Sequence, residues 1–397
     1  MTFAQPQPKQ RIQSIDILRG IVMLIIALDH ARDYLHATAW TDDPLNFATT
    51  TPQLYFTRWI THFCAPVFVF LSGSSAFLAG QKKTRPELSV FLLKRGFWLV
   101  FAELVIVTLG WTFNPLYNLF ILQVIWAIGW SMIIVGLLVR TSVKMVMIIG
   151  CLIVFGHNIL DYLTLPQQGA ASILWRVFFT TTFRVYPVGQ THFILDIYAI
   201  LPWTGLMCLG YGFGRIYRTG FDAVRRRKIL LSLGSAVIIF FILLRLINVY
   251  GDPHPWSTQK NNFYTFLSFI NATKYPVSLL YACMTLGPAM IVLALLEHAQ
   301  NKLTRILSMY GRVPFFYYVC HIYLTHAICV IFFYASGYGA RDIVDRNTPF
   351  LFRPQHFGFD LPVVYAVWLF VILALYVPCK WFDNYRRTHH QWWLSYV

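Results

Sequence analysis

The chain has 397 residues, of which 57% are hydrophobic and only 12% charged. An ordinary soluble domain is about half apolar and about one quarter charged, so a soluble enzyme, a disordered chain and a disulfide-stapled secreted domain are excluded, and a multi-spanning membrane protein remains. The formal charge of +16 then reads as Lys and Arg retained in cytoplasmic loops, and nucleic acid is not an expected partner.

Residues 1–14 are polar, and the apolar run that follows is long enough to span and has no small-residue cleavage pattern, so no cleavable leader is expected. Ten spans are expected, at about 15–35, 59–79, 88–109, 118–139, 143–163, 194–214, 229–249, 276–296, 314–334 and 361–379, each close to the ~20 residues that cross about 30 Å of hydrocarbon. The expected fold class is all-α: a polytopic helical bundle in the lipid bilayer, one membrane domain over 1–397. Of the 32 Lys and Arg, 21 fall on the N-terminus, the even-numbered loops and the C-terminus. They include Lys9, Arg11 and the dense run Arg225–Lys228, so both termini are expected in the cytoplasm.

The opposite loops, at about 36–58, 164–193, 250–275 and 335–360, are long and rich in aromatics. Long structured loops on one face suggest ligand entry there. Residues 172–187 are apolar but too short and polar to span, and are expected along the outer interface or dipping into the bundle. No internal repeat is visible, which counts against an inverted-repeat transporter. Cys64, Cys151, Cys208, Cys283, Cys320, Cys329 and Cys379 form no CxxC pair and read as small apolar residues without a disulfide framework or zinc site.

The first span, SIDILRGIVMLIIALDHARDY, holds Asp16, Arg19, Asp29, His30 and Asp33. Ionisable groups at this depth are costly, so they face protein or water and are functional candidates. From Arg19 to His30 is eleven residues; at about 100° per residue the two directions differ by only about 20°. Asp16, Arg19, Met23, Ile26, His30 and Asp33 therefore share one stripe, with Arg19 and His30 about 16 Å apart along the axis. The plainer reading makes these residues interface anchors, with Arg19 reaching inward and Asp29 and Asp33 among outer headgroups; an anchor has no need of an imidazole.

The segment SIDILRGIVMLIIALDH resembles the opening of the heparan-alpha-glucosaminide N-acetyltransferase-like membrane proteins, within the wider transmembrane acyltransferase superfamily. The first helix there carries an Arg, ten residues and a His, a spacing that Arg19 and His30 reproduce. The segments from Arg58 to Gly73 (RWITHFCAPVFVFLSG) and from Leu201 to Tyr211 (LPWTGLMCLGY) are similar to the bacterial branch, and Gly311–Tyr318 (GRVPFFYY) is a further match. The resemblance is strongest over 11–215; residues 216–397 supply the C-terminal helices of the same bundle. It implies a bacterial inner-membrane acyltransferase. The animal enzyme is associated with a lumenal-loop His whose position falls near Pro52 here, which leaves the role to His30 or His62.

The expectation is an acetyl-CoA-dependent O- or N-acyltransferase, with acetyl-CoA as co-substrate, no metal, and a glycan or other envelope acceptor entering from the outer face. His30 is the expected base, with Asp33 better placed than Asp29 to orient it. His62, one turn after Arg58, is a second base, an acceptor-binding group or a core histidine. Arg19, paired with Asp16, holds the donor or steadies the helix, and Lys94, Arg95 and Arg312 suit coenzyme A phosphates. Direct transfer and an acetyl-His intermediate both remain open, as does the oligomeric state, a homodimer included.

Glu103, His157, Asp161, His192, Asp196 and Arg245 lie in or beside other outer half-spans, as partners of the first-helix charges or headgroup anchors. His321 and His326 sit about 140° apart on one helix and do not face each other. The alternative function is a transporter or flippase for a sugar- or lipid-linked substrate, for which Glu103 is the clear mid-membrane acid, or a non-catalytic sensor.

Overall fold

Apolar runs separated by short polar turns fold as helices that bury their backbone hydrogen bonds internally. The structure, a computed structural model, describes residues 12–163, 169–181, 183–389 and 391–395; Lys9 and Arg11 of the expected basic N-terminus lie outside the described residues. In chain order the first elements are α1 Gln13–Leu35, α2 Pro52–Thr61, α3 Cys64–Gly80, α4 Arg85–Ala102, α5 Thr108–Thr112, β1 Leu119–Leu122, α6 Val124–Leu138 and α7 Val143–Gly156. There follow α8 Gly169–Trp175, β2 Arg184–Val188, β3 His192–Asp196, α9 Ile200–Phe213 and α10 Ala223–Ile247. The last are α11 Asn262–Phe269, α12 Leu279–Leu296, α13 Lys302–Arg312, α14 Pro314–Ala335 and α15 Leu361–Thr388.

The chain is mostly helical, at 69% helix, and among the described residues six helical segments are long and apolar enough to cross a membrane: Pro52–Gly80, Val143–Tyr162, Ala223–Ile247, Leu279–Leu296, Pro314–Ala335 and Leu361–Thr388. The other four expected spans fall short for separate reasons. Helix α1 carries Asp16, Arg19, Asp29, Arg32 and Asp33; α4 carries Arg85, Glu87, Lys94 and Arg95 and passes through a π turn at Glu103–Val107 before α5. Helices α6 and α9 have 15 and 14 residues. The helical part of the expected 118–139 span starts only at Val124, because Leu119–Leu122 is a strand.

That strand corrects the all-α expectation. β1 runs parallel to β3, and β3 pairs antiparallel with β2, in the order β1-β3-β2. Of the expected interfacial stretch 172–187, the start is helical in α8 and a π turn at Arg176–Thr180, and the end is strand β2.

Helix α1 is the hub, packed against α2, α3, α12, α13, α14 and α15. By contrast, α10 and α15 turn Leu243, Leu246, Ile247, Leu369, Phe370 and Leu373 outward. Large apolar side chains exposed in rows on a 57% hydrophobic chain are a lipid-facing perimeter. The closest helix crossings use glycine. A Cβ on Gly20 would lie 1.8 Å from the Leu307 carbonyl oxygen of α13, and one on Gly311 1.8 Å from that of Asp16. Gly73 of α3 and Gly210 of α9 meet as tightly, at 2.1 Å from Met207 O and 2.0 Å from Phe70 O. Such small-residue contacts let backbones approach where no hydrophobic force drives helices together.

Glu103 has a structural task. Its Oε2 accepts the Trp126 backbone N–H at 3.1 Å, in the first turn of α6, where orphan N–H groups and the helix dipole favour a carboxylate.

Candidate active site

Two cavities enter the bundle from opposite ends of α1. The one at its amino end has a volume of about 230 Å³ and is lined by Arg19, Arg95, Arg312 and Arg386 among serines and aromatics. The one at its carboxyl end is larger, about 690 Å³, and is lined by Asp29, His30, Arg32, Asp33, Arg58 and His62 together with Trp40, Trp111, Tyr198, Lys274, Tyr275 and Phe350. Ile26, Ala65 and Val124 line both. The cavities thus adjoin at the middle of α1, and the stripe expected from helical periodicity points Arg19 into one and His30 into the other.

At the amino end the cations are held by their surroundings. Arg312 makes a two-pronged pair with Asp383, at 2.8 and 2.6 Å, and donates to Ser308 Oγ at 2.8 Å. Arg386 donates to the Arg312 carbonyl at 2.7 Å, and Arg19 donates to the Leu71 carbonyl at 2.9 Å and to Ser75, with Asp16 3.7 Å away. Among the described residues four guanidinium groups line this cavity and no carboxylate does, a lining whose chemistry suits an anion. Lys94 does not join them: it lies on the exposed side of α4, outside the cavity lining. Arg386, read from sequence only as a topology charge, takes that place.

At the carboxyl end the carboxylates turn to arginine. Asp29 accepts from Arg58 and, at 3.2 Å, from Arg32, which also binds Asp33 at 2.6 Å. Neither Asp33 nor Asp29 is hydrogen-bonded to His30. The group that orients this imidazole is His321 of α14, with Nε2 2.7 Å from His30 Nδ1. The ring planes differ by 9° with centroids 4.9 Å apart, so the rings lie edge to edge in one plane, as an in-plane hydrogen bond requires. His321 Nδ1 sits 3.0 Å from the Tyr317 carbonyl. A carbonyl only accepts, so His321 carries its proton on Nδ1 and accepts from His30 Nδ1–H at Nε2. The lone pair of a neutral His30 is thereby fixed on Nε2. The separation of 291 positions between the two histidines leaves no sequence signal for this pairing; only weighing each buried His against α1 would have raised it.

His62 sits at the break between α2 and α3. Its backbone carbonyl accepts from Tyr281 Oη at 2.7 Å, its ring lines the larger cavity, and its buried Nδ1 has no hydrogen-bond partner among the described residues. At the cavity mouth, hydrogen bonds from Thr49 and Asn46 hold the exposed Asp42 carboxyl below the ordinary carboxylate range.

The remaining candidates serve the scaffold. Arg245 is buried and donates to the carbonyls of Phe269, His254, Ser268 and Asn271, organising the 250–275 loop. His326 lies against the carbonyls of Gly110 and Leu351 at 3.0 and 2.8 Å. Asp161 pairs with Asn158, and His192 with Thr191. Asp196 is buried in β3, and His157 is buried at the end of α7; neither lines either cavity.

No curated protein matches the chain. A family profile described as heparan-alpha-glucosaminide N-acetyltransferase, catalytic, matches residues 11–245, more than half of the chain. The match takes in α1 with Arg19 and His30, Arg95 and His62, and stops before α14, which carries His321. With a cationic cavity and an oriented imidazole meeting on its first helix, the chain belongs to the heparan-alpha-glucosaminide N-acetyltransferase catalytic family, a family of membrane acetyltransferases.

Proposed function

We propose that this protein moves an acetyl group from cytoplasmic acetyl-CoA to a hydroxyl or amine of an envelope glycan at the outer face. In this reading the chain crosses the bacterial inner membrane ten times with both termini inside, as the loop charges suggest. The amino-end cavity then opens to the cytoplasm and the larger cavity to the outside. Arg19, Arg95, Arg312 and Arg386 hold the phosphates of the donor, and its acyl arm reaches past Ile26, Ala65 and Val124 toward His30. The observation that carries the reading is this junction of the two cavities on α1.

His30 is the base. The acceptor oxygen or nitrogen attacks the thioester carbonyl while its proton passes to His30 Nε2, and the C–S bond breaks as that proton goes on to the departing thiolate. His62 lies beside the acceptor path, as a hydrogen-bonding group for the acceptor. A transporter would want a free mid-membrane acid, and Glu103 is committed to capping α6.

The reading is tested by isothermal titration of acetyl-CoA into the full chain in nanodiscs. Binding is expected, and Arg95→Gln should weaken it about 10–100-fold, the equivalent of one charge-assisted hydrogen bond. A chain that is folded yet blind to acetyl-CoA would remove the enzyme reading in favour of transport.

His321 acts through His30, as a positioning residue. His321→Ala should lower turnover about 10–100-fold, the order seen when the partner of a working imidazole is removed, with acetyl-CoA affinity unchanged. His321→Gln, whose amide oxygen can accept from His30 Nδ1–H, should recover part of the loss; equal rates in the two variants would argue against the tautomer assignment.

A further inference from the structure

The junction of the cavities contains two buried donors that make no hydrogen bond of normal geometry among the described residues. Trp111 of α5 lines the larger cavity and Tyr318 of α14 lines the smaller. Both are buried, at 2% and 3% exposure. The Trp111 indole Nε1 and the Tyr318 hydroxyl are near neighbours, but each lacks a hydrogen-bond partner of normal geometry among the described residues. The two rings stand edge-on to the imidazole of His30, with centroid distances of 4.6 Å for Trp111 and 5.9 Å for Tyr318 and interplanar angles of 73° and 79°.

An indole N–H is a donor only, and leaving it buried without an acceptor forfeits its hydration for nothing in return. Both rings are fixed in place. Trp111 stacks on Tyr34 at 5.4 Å and packs at a tilt of 32° against Phe350 at 5.2 Å, and its backbone carbonyl accepts from Tyr34 Oη at 2.8 Å. Tyr318 is set edge-on against His321 at 5.4 Å, on the same helix. Two rigid, buried donors beside a base are what a developing negative oxygen needs.

Resting on the acetyltransferase reading above, we propose that Trp111 Nε1–H and Tyr318 Oη–H form the oxyanion hole, binding the carbonyl oxygen of the acetyl thioester. As the acceptor oxygen or nitrogen bonds to the carbonyl carbon, its proton goes to His30 Nε2 and the carbonyl π pair moves onto the oxygen held by these donors. The pair returns as the C–S bond breaks, and the proton on His30 passes to the coenzyme A sulfur. Atoms and charge balance without a further reactant. Trp111 and Tyr318 are then catalytic residues, since they touch the reacting oxygen.

The test reads that oxygen directly and needs no knowledge of the acceptor. Acetyl-CoA labelled with ¹³C at the thioester carbonyl is bound to the full chain in nanodiscs, and its C=O stretch is recorded by difference infrared spectroscopy. Two donors should shift the stretch to lower frequency than in water. Tyr318→Phe, which keeps the ring, and Trp111→Phe should each lose part of that shift while binding acetyl-CoA within about threefold of the parent. Turnover should fall about 10²–10³-fold for either loss, as for one oxyanion donor. Should Trp111→Phe not fold, Tyr318→Phe decides alone. Binding with the same frequency in parent and variants overturns the oxyanion hole and leaves the acetyltransferase reading standing. No binding in the parent overturns both.

Discussion

His30→Ala is expected to lower acetyl transfer about 10²–10⁴-fold, the range for losing a positioned general base, while the protein still inserts and still binds acetyl-CoA. His30 is the imidazole on α1 with one nitrogen tied to His321 at 2.7 Å and the ring opening into the larger cavity. The arginines assigned to the donor lie in the other cavity, so binding and chemistry should separate: affinity is kept and turnover lost. The assay is transfer of radiolabel from acetyl-CoA to an envelope-glycan pool in membranes carrying the variant. Undiminished labelling would remove His30 from the mechanism and hand the base role to His62.

The second large effect concerns assembly. Gly20→Val and Gly311→Val should each sharply reduce the yield of folded protein, because α1 and α13 touch backbone to backbone at both positions. A Cβ placed 1.8 Å from a carbonyl oxygen is far inside van der Waals contact, and a backbone atom cannot swing aside as a side chain can. Overpacking typically costs about 1–3 kcal/mol and occasionally more; here the two helices must separate, because the clash is with backbone. Thermal unfolding followed by size-exclusion chromatography in detergent measures it. Gly156→Val, at the end of α7 with open space around the glycine and an ordinary helical backbone, is the comparison. A Gly311→Val variant as stable as Gly156→Val would refute the close crossing.

What the sequence disclosed depended on how local each signal is. The alignment of Arg19 and His30 follows from the pitch of one helix, and coordinates add only what each faces. The spans were legible where hydrophobicity runs unbroken, as in α10, α12 and α14. Strand β1 was not, because a short apolar run such as Leu119–Leu122 has no period of its own to separate strand from helix. Helix α13 falls in a connection between expected spans: its 11 residues, with Lys302, Arg305 and Arg312 gathered on one face, are too short and polar to span, and its place against α1 is a tertiary matter. The carboxylates misled for a related reason. Asp33 is one turn from His30 along the helix, yet Arg32 and Arg58 gather both aspartates, and the residue that orients the imidazole comes from far along the chain. Orphaned donors such as those of Trp111 and Tyr318 are visible only once burial is known.

A path open at both ends of a membrane protein is also a hole in an electrical insulator. Here the two cavities share Ile26, Ala65 and Val124 among the described residues, three side chains that offer an ion no oxygen or nitrogen in exchange for its hydration shell. Hydrocarbon constrictions of this kind stop ions by dewetting, whereas an uncharged two-carbon unit on a thin flexible chain loses little by entering one. On the proposed reading the neck would act as a dielectric seal, letting chemistry reach across the bilayer while protons and sodium stay on their own sides.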